Sequence, residues 1–330
     1  MNIKDIAKIC GTSVATISRV INNDPKVADS TRKKVLAIIK ETGFVPNSAG
    51  RNLRTQKSNK ILVLLPTMAN QFYSRILQGI ESKAEEAGYN ILVAVTNLDE
   101  AQELKYLEML RMKHVDGCIS FFNTLNSEKI TELAKNYPFV QCCEPSIGAD
   151  VSSVVVDNKQ AIYDVCNEFI KNGHKNIGMI SGDYYKFSEE KREKGYKEAL
   201  IENGLDFNQD YIQKGFYRYK DGSNGVKALM KLKEAPTAII CVSDSLAIGA
   251  ISELKNMGKT VGKDISVIGF DNTSITSHFS PTISSIAQPR YDLGQEAFNL
   301  LHDKLQNNES SNKKIILPYR VVHRESTNIK

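Results

Sequence analysis

Apolar positions in the first 45 residues recur at helical spacing and predict three short helices. "IKDIAKIC" can be capped by Asn2 with Asp5 and is ended by Gly11. In "GTSVATISRVINN", Ile17, Val20 and Ile21 mark one buried face. Ser13, beside Thr12, can cap this second helix, which runs from Val14 to about Asn22. "NNDPKVADS" is a turn-rich loop. The third helix lies in "STRKKVLAIIKETG", with Val35, Leu36, Ile38 and Ile39 on its apolar side and Gly43 as its stop. Ala28 offers no capping side chain, so Asp29 or Ser30 is expected to cap it. Two helices joined by a tight Gly-containing turn form a helix-turn-helix, whose second helix enters the DNA major groove.

From Lys60 the pattern changes to short apolar runs: "KILVLLP", "YNILVAV", "DGCISF", "FVQCCE", "SSVVVDN", "NIGMISG", "AIICVSD" and "ISVIGFD". Helical patterns such as "YSRILQGIESKAEEAG", "AQELKYLEMLRMK" and "QAIYDVCNEFIKNG" lie between most of them. Strands alternating with helices predict parallel sheets covered on both faces. The strands are too many for one small sheet and predict two similar lobes, with ligands at the carboxyl ends of strands and between lobes. Between head and body lies "VPNSAGRNLRTQKS". Pro46 and Asn47 can start a helix there, but it is short, contains Gly50, and carries Leu53 as its lone large apolar residue. It reads either as a flexible basic linker or as a segment that folds only on DNA, with Leu53 wedged between bases in the minor groove.

Composition narrows the function. The chain has 330 residues, 41% hydrophobic and 25% charged, enough for large cores. No apolar run reaches the ~18 residues of a membrane span, and Lys4, Asp5 and Lys8 break any leader-like h-region. Six cysteines, none in C-x-x-C spacing, read as buried reduced thiols, which places the chain in the cytoplasm. Residues 1–60 hold 12 Lys and Arg against 4 Asp and Glu, while the remainder holds 31 against 34. A basic head on a mildly acidic body suggests that only the head meets a polyanion.

No catalytic signature is present: G-x-G-x-x-G after a strand, G-x-S-x-G and H-E-x-x-H are all missing. "GKT" at Gly258–Thr260 lacks the Gly of a phosphate loop and reads as a turn after a helix. The five histidines have no metal-ligand spacing, and His174 in "NGHKNIG" reads as structural. No catalytic residue, metal or cofactor is expected. The outer face of the second helix carries Val14, Ala15, Ser18 and Arg19. Small side chains let a helix sit deep in a groove, where Arg19 can donate to guanine and Val14 and Ala15 can touch thymine methyls. Ser13, Thr16, Ser18 and Asn22 can hold phosphates.

The run "IKDIAKICGTSVATISRVINNDPKVADSTRKKVLAIIKETGFVPNSAGRNLR" resembles the DNA-binding head of the LacI/GalR family of bacterial transcription regulators. The resemblance continues through "FYSRILQGIE", "RMKHVDGCI", "VVVDN", "NGHKNIGMISG", "PTAIICVSDSLAIGA", "ISVIGFDN" and "TISSIAQPRYDLGQEAF". It implies an all-α helix-turn-helix head plus an α/β two-lobed, periplasmic-binding-protein-like body with parallel sheets. Base-reading positions fall on Val14, Ala15 and Arg19, further DNA contacts on Ser13, Thr16, Ser18, Asn22, Thr31 and Asn47, and the minor-groove leucine on Leu53. Effector-binding positions fall on Phe72, Tyr73, Lys186, Ser188, Arg192, Tyr217, Ser243, Asp271 and Gln288. Aromatic faces suit sugar or base rings, and Arg192 with Asp271 offers donor and acceptor to hydroxyls; alternatively, these two pair with each other.

The implied domains are a head over 1–46, a hinge over 47–59 and a body over 60–330. The N-lobe takes about 60–158 and 290–320, and the C-lobe about 159–289 and 321–330. The ending "YRVVHRESTNIK" carries no Leu-heptad tail of the kind that makes tetramers in some members. The expected protein is a cytoplasmic, homodimeric transcriptional repressor that binds palindromic operator DNA, responds to a sugar or nucleoside effector, and has no membrane partner. The rival reading is a non-catalytic sugar-binding protein of a transport system, which the basic head and missing export signal disfavour.

Overall fold

The computed structural model describes residues 1–44, 57–183, 186–306 and 311–327. The chain divides into two compact units, 1–58 and 59–330.

The head holds α1 (Ile3–Cys10), α2 (Val14–Ile21) and α3 (Asp29–Thr42). Asn2 and Asp5 cap α1 reciprocally: Asn2 Oδ1 accepts from Lys4 N (2.9 Å) and Asp5 N (3.2 Å), and Asp5 Oδ2 accepts from Asn2 N (2.8 Å). Gly11, at φ +63°, ends it in the left-handed region. Ser13 Oγ accepts from Thr16 N (3.1 Å) and so starts α2. Ile6, Ala7, Cys10, Ile17, Val20, Val35 and Phe44 form the small core. Two expectations for α3 need correction. Its N-cap is Ala28 with no side-chain bond, because Asp29 and Ser30 already lie inside the first turn. Leu36 is exposed rather than part of the apolar side, since only Val35 points fully inward and Ile38 and Ile39 cover the edges.

The body is built on two six-stranded sheets. The first contains β1 (Lys60–Leu65), β2 (Asn90–Val95), β3 (Gly117–Ser120), β4 (Phe139–Cys142) and β5 (Ser152–Val156), with β11 (Lys314–Leu317) at one edge, all pairing in parallel. The second contains β6 (Ile177–Gly182), β7 (Ile212–Gly215), β8 (Ala238–Cys241), β9 (Ser266–Asp271) and β10 (Ser284–Ala287), with β12 (Arg320–Val322) antiparallel to β10.

The continuous apolar run of β1 follows from its two covered faces. Ile61, Val63 and Leu65 pack under α4 (Phe72–Glu86) and α11 (Arg290–Leu305). Leu62 and Leu64 pack on the opposite side with α5 (Glu100–Arg111) and α6 (Ser127–Asn136). The second sheet is enclosed by α7 (Asn158–Lys171), α8 (Lys186–Glu202), α9 (Tyr219–Leu229) and α10 (Asp244–Asn256).

The chain passes between the sheets after β5, after β10 and after β11. Asn158 begins α7 on the second sheet, and Arg320 pairs with Ala287 there. No helix among the described residues is long and apolar enough to cross a membrane.

Helices α4 and α11 approach so closely that glycine is required on both. A Cβ on Gly79 would lie 2.1 Å from Tyr291 O, and one on Gly294 would lie 2.1 Å from Ile76 O. Gly294→Ala should therefore destabilise the body by ~1–3 kcal/mol through overpacking. Urea unfolding checks this, and a midpoint equal to that of the parent would refute the close contact.

Candidate functional site

A narrow cleft opens between the two sheets, at the carboxyl ends of their strands. From the first sheet, Phe72 and Tyr73 lie at the start of α4, and Cys143 and Glu144 follow β4. Phe72 and Tyr73 meet edge to face (centroids 5.3 Å), as do Tyr73 and Phe121 (5.4 Å), giving a rigid apolar wall. From the second sheet, Ser188 and Arg192 sit on α8, Tyr217 follows β7, and Asp271 ends β9. Gln288 comes from the crossover after β10.

Arg192 anchors this wall. Its Nε donates to Asn158 Oδ1 (2.9 Å), and its Nη1 donates to Glu189 Oε1 (3.2 Å) and to Val242 O (3.1 Å). The guanidinium lies 4.0 Å above the Phe270 ring centroid. Glu189 also accepts from Ser181 Oγ (2.5 Å), Gly182 N (3.1 Å) and the Tyr217 hydroxyl. Arg192 and Asp271 do not bond to each other, so the alternative of a simple pair across a loop does not hold. Asp271 Oδ1 instead accepts from Gln288 Nε2 (2.7 Å).

Beneath Asp271, Asp244 Oδ2 accepts from Thr273 N (2.6 Å) and Thr273 Oγ1 (2.7 Å), and its Oδ1 accepts from Ser285 Oγ (2.7 Å). Burial pushes the Asp271 carboxyl up, and the Asp244 charge adds to the effect. Burial likewise raises Asp244, against the bonds from Ser285 and Thr273. It also raises Glu144 to about 7, against the donors at Ser188 and the charge of Arg192.

Of the nine effector positions expected, Phe72, Tyr73, Ser188, Arg192, Tyr217, Asp271 and Gln288 meet in the cleft. Ser243 does not line it: its Oγ caps α10 by accepting from Leu246 N (3.2 Å). Lys186 begins α8, and its side chain lies outside the described structure. Sequence reasoning missed Asn158, Glu144 and Glu189. Glu189 stands one helical turn before Arg192, an (i, i+3) pair that could have flagged it. The expectation of uniformly buried thiols also fails at Cys143, which is half-buried on the cleft wall, its Sγ 3.5 Å from that of Cys142. His174, read as structural, holds its Nδ1 2.9 Å from Thr237 Oγ1.

On the head, Ser13, Val14, Ala15, Arg19 and Asn22 are exposed, and Thr16, Ser18 and Thr31 are half-buried. Ser13 and Thr16 share a hydroxyl–hydroxyl bond (3.0 Å), and Asn22 Nδ2 donates to Ser18 O (2.8 Å). Arg19 extends from α2 with only a loose contact to Asp24 (4.0 Å). Asn47 and Leu53 fall outside the described residues.

A helix-turn-helix head and a two-lobed body with a polar, aromatic-lined cleft together define a DNA-binding regulator controlled by a small molecule. Residues 2–47 match the model of bacterial regulatory proteins of the lacI family, and residues 166–327 match that of the periplasmic binding protein-like domain. The chain is 37% identical to catabolite control protein A of Priestia megaterium over 99% of both chains. It is 34% identical to the HTH-type transcriptional repressor CytR of Escherichia coli (strain K12), over 98% of this chain and 95% of that one. The lac repressor dimer bound to operator and the anti-inducer ONPF superposes with a TM-score of 0.89, at 25% identity over 99% of both chains. The chain belongs to the lacI family of bacterial transcription regulators.

The buried acids make a pH prediction. Asp244, Asp271 and Glu144 all have raised values in the folded state, so the stability tied to their protonated forms is complete below their unfolded values. It is lost as pH rises through about 7, the value of Glu144, and beyond. Calorimetry should show the body's melting temperature falling between pH 5 and pH 8. Asp271→Asn should flatten that fall, and an unchanged slope would refute the assignment.

Proposed function

We propose that the chain acts in the cytoplasm as a homodimer that represses transcription from a palindromic operator and responds to a sugar or nucleoside held in the cleft. The observation that carries the effector reading is the convergence of the aromatic wall, Arg192 and Asp271 at the strand ends. Rings stack on Phe72 and Tyr217, while hydroxyls accept from Arg192 and donate to Asp271. The lac repressor structure, solved with operator and anti-inducer, supports the same division of labour.

On DNA, α2 lies in the major groove, its exposed Val14 and Ala15 allowing close approach and its Arg19 reaching a base edge. Ser13, Thr16, Ser18, Asn22 and Thr31 contact the backbone, Asn47 makes a further DNA contact, and Leu53 enters the minor groove at the operator centre. Effector closure re-angles the lobes about the three crossovers and so shifts the spacing of the two heads. Such coupling is typically ~1–3 kcal/mol and acts equally in both directions. A transport protein would have no use for an exposed helix of this composition.

Asp271→Ala should leave the protein dimeric and DNA-binding but deaf to effector. In a thermal-shift screen of sugars and nucleosides, the parent gains about 2.7 kcal/mol at 100 times the dissociation constant of a true effector. A mutant that keeps the full shift would remove Asp271 from the site.

Arg19→Ala should relax preference at one operator position by ~1–3 kcal/mol. Thr16→Ala should weaken all sequences evenly. Competition binding on operator and random DNA separates the two, and equal losses for both variants on both DNAs would contradict their assigned roles.

A further inference from the structure

Glu144 reaches across the cleft. It follows β4 in the first sheet, yet its Oε1 accepts from the backbone N–H groups of Phe187 (2.7 Å) and Ser188 (3.1 Å), in the first turn of α8 on the second sheet. The residue is only 8% exposed and lines the cleft. Amides at a helix N-terminus lack intrahelical partners and carry the positive end of the helix dipole, so they are a natural seat for a ligand's phosphate or carboxylate. Here a carboxylate of the protein already occupies that seat.

The remaining charges on the wall point the same way. Arg192 has committed its Nε and Nη1 to Asn158, Glu189 and Val242 O, and its charge is matched by Glu189. Asp271 is 7% exposed and gives Oδ1 to Gln288, while its Oδ2 has no hydrogen-bond partner among the described residues. Among the described residues, the cleft therefore presents two carboxylates and a guanidinium already neutralised by a third. Above the pH at which Glu144 and Asp271 ionise, an incoming anion would meet like charge at low dielectric, with no unmatched cation among the described side chains lining the cleft to receive it.

We propose that Glu144 sets the charge of the ligand: by holding the α8 amides from the opposite lobe, it admits neutral or amine-bearing polyols and nucleosides and excludes their phosphate esters. This rests on the cleft being the effector site. Titration calorimetry at pH 8 on the full-length parent, Glu144→Gln and Glu144→Ala, with ribose 5-phosphate and inorganic phosphate as probes, tests it. Glu144→Gln preserves side-chain volume and an acceptor oxygen, which keeps a folded variant available. All three proteins share the same basic head, so the difference between parent and variant reports the cleft. At least one variant should bind ribose 5-phosphate ~10-fold or more tightly than the parent, consistent with a charge-assisted contact replacing a repulsive one. Equal affinity in the parent and both variants overturns the proposal. So does parental ester binding that disappears in Asp271→Ala, because the cleft would then already accept an anion. Neither failure touches the role of the cleft itself, which is judged by the response of Asp271→Ala to neutral compounds.

Discussion

Arg192, 6% exposed, sets its guanidinium at the strand ends of the second sheet, among several acids. A charge so placed is tolerable only when every nearby group is arranged around it. Asn158 supplies an acceptor from the crossover, Glu189 the counter-charge, Val242 a strand-end carbonyl and Phe270 a ring face. Glu189 in turn is held by Ser181, Gly182 and Tyr217. Removing Glu189 would leave a buried charge uncompensated, at a cost of roughly 3–5 kcal/mol. The floor of the cleft is therefore one connected polar network, and its geometry is preset before any ligand arrives.

That network lies in the C-lobe but is completed by the peptide that leaves the N-lobe. Asn158 opens α7 directly after the first crossover, and Gln288, bonded to Asp271, belongs to the second. Two of the three crossovers between the lobes thus end in side chains that line the cleft. Under the proposed function, a ligand that reorganises Arg192 or Asp271 would act on these crossovers and so on the relative setting of the lobes.

The head solves a different problem with fewer residues. Its core is a handful of side chains, and its helix ends are secured locally by Asn2, Asp5, Gly11 and Ser13. Local caps of this kind are readable because donor and acceptor lie within three residues of one another. Where the local rule was absent, at Ala28, the helix still starts, drawn into place by Val35 packing on α1 and α2.

Periodicity alone determined the three head helices, the two-lobed parallel architecture and the exposed short-side-chained face of α2, because each rests on spacing along the chain and on which face must leave water. The strands β7, β10, β11 and β12 left no comparable signal. Their residues are more polar or follow short crossovers, as in "IQKG" and "SSIA", and they owe their pairing to neighbours distant in sequence. The family resemblance brought Arg192, Asp271, Phe72 and Tyr217 to one cleft, but not their partners. Ser243 looked like a ligand contact and is a helix cap, and Cys143 looked like core and lies on the cleft wall. Glu189 and Glu144 carried no signal that set them apart from the other acids of the chain, and both are buried. Only the tertiary structure could decide these, because whether a carboxylate is solvated, paired or set against a helix N-terminus depends on which elements face it across the cleft, and that is a property of the assembled lobes rather than of any stretch of sequence.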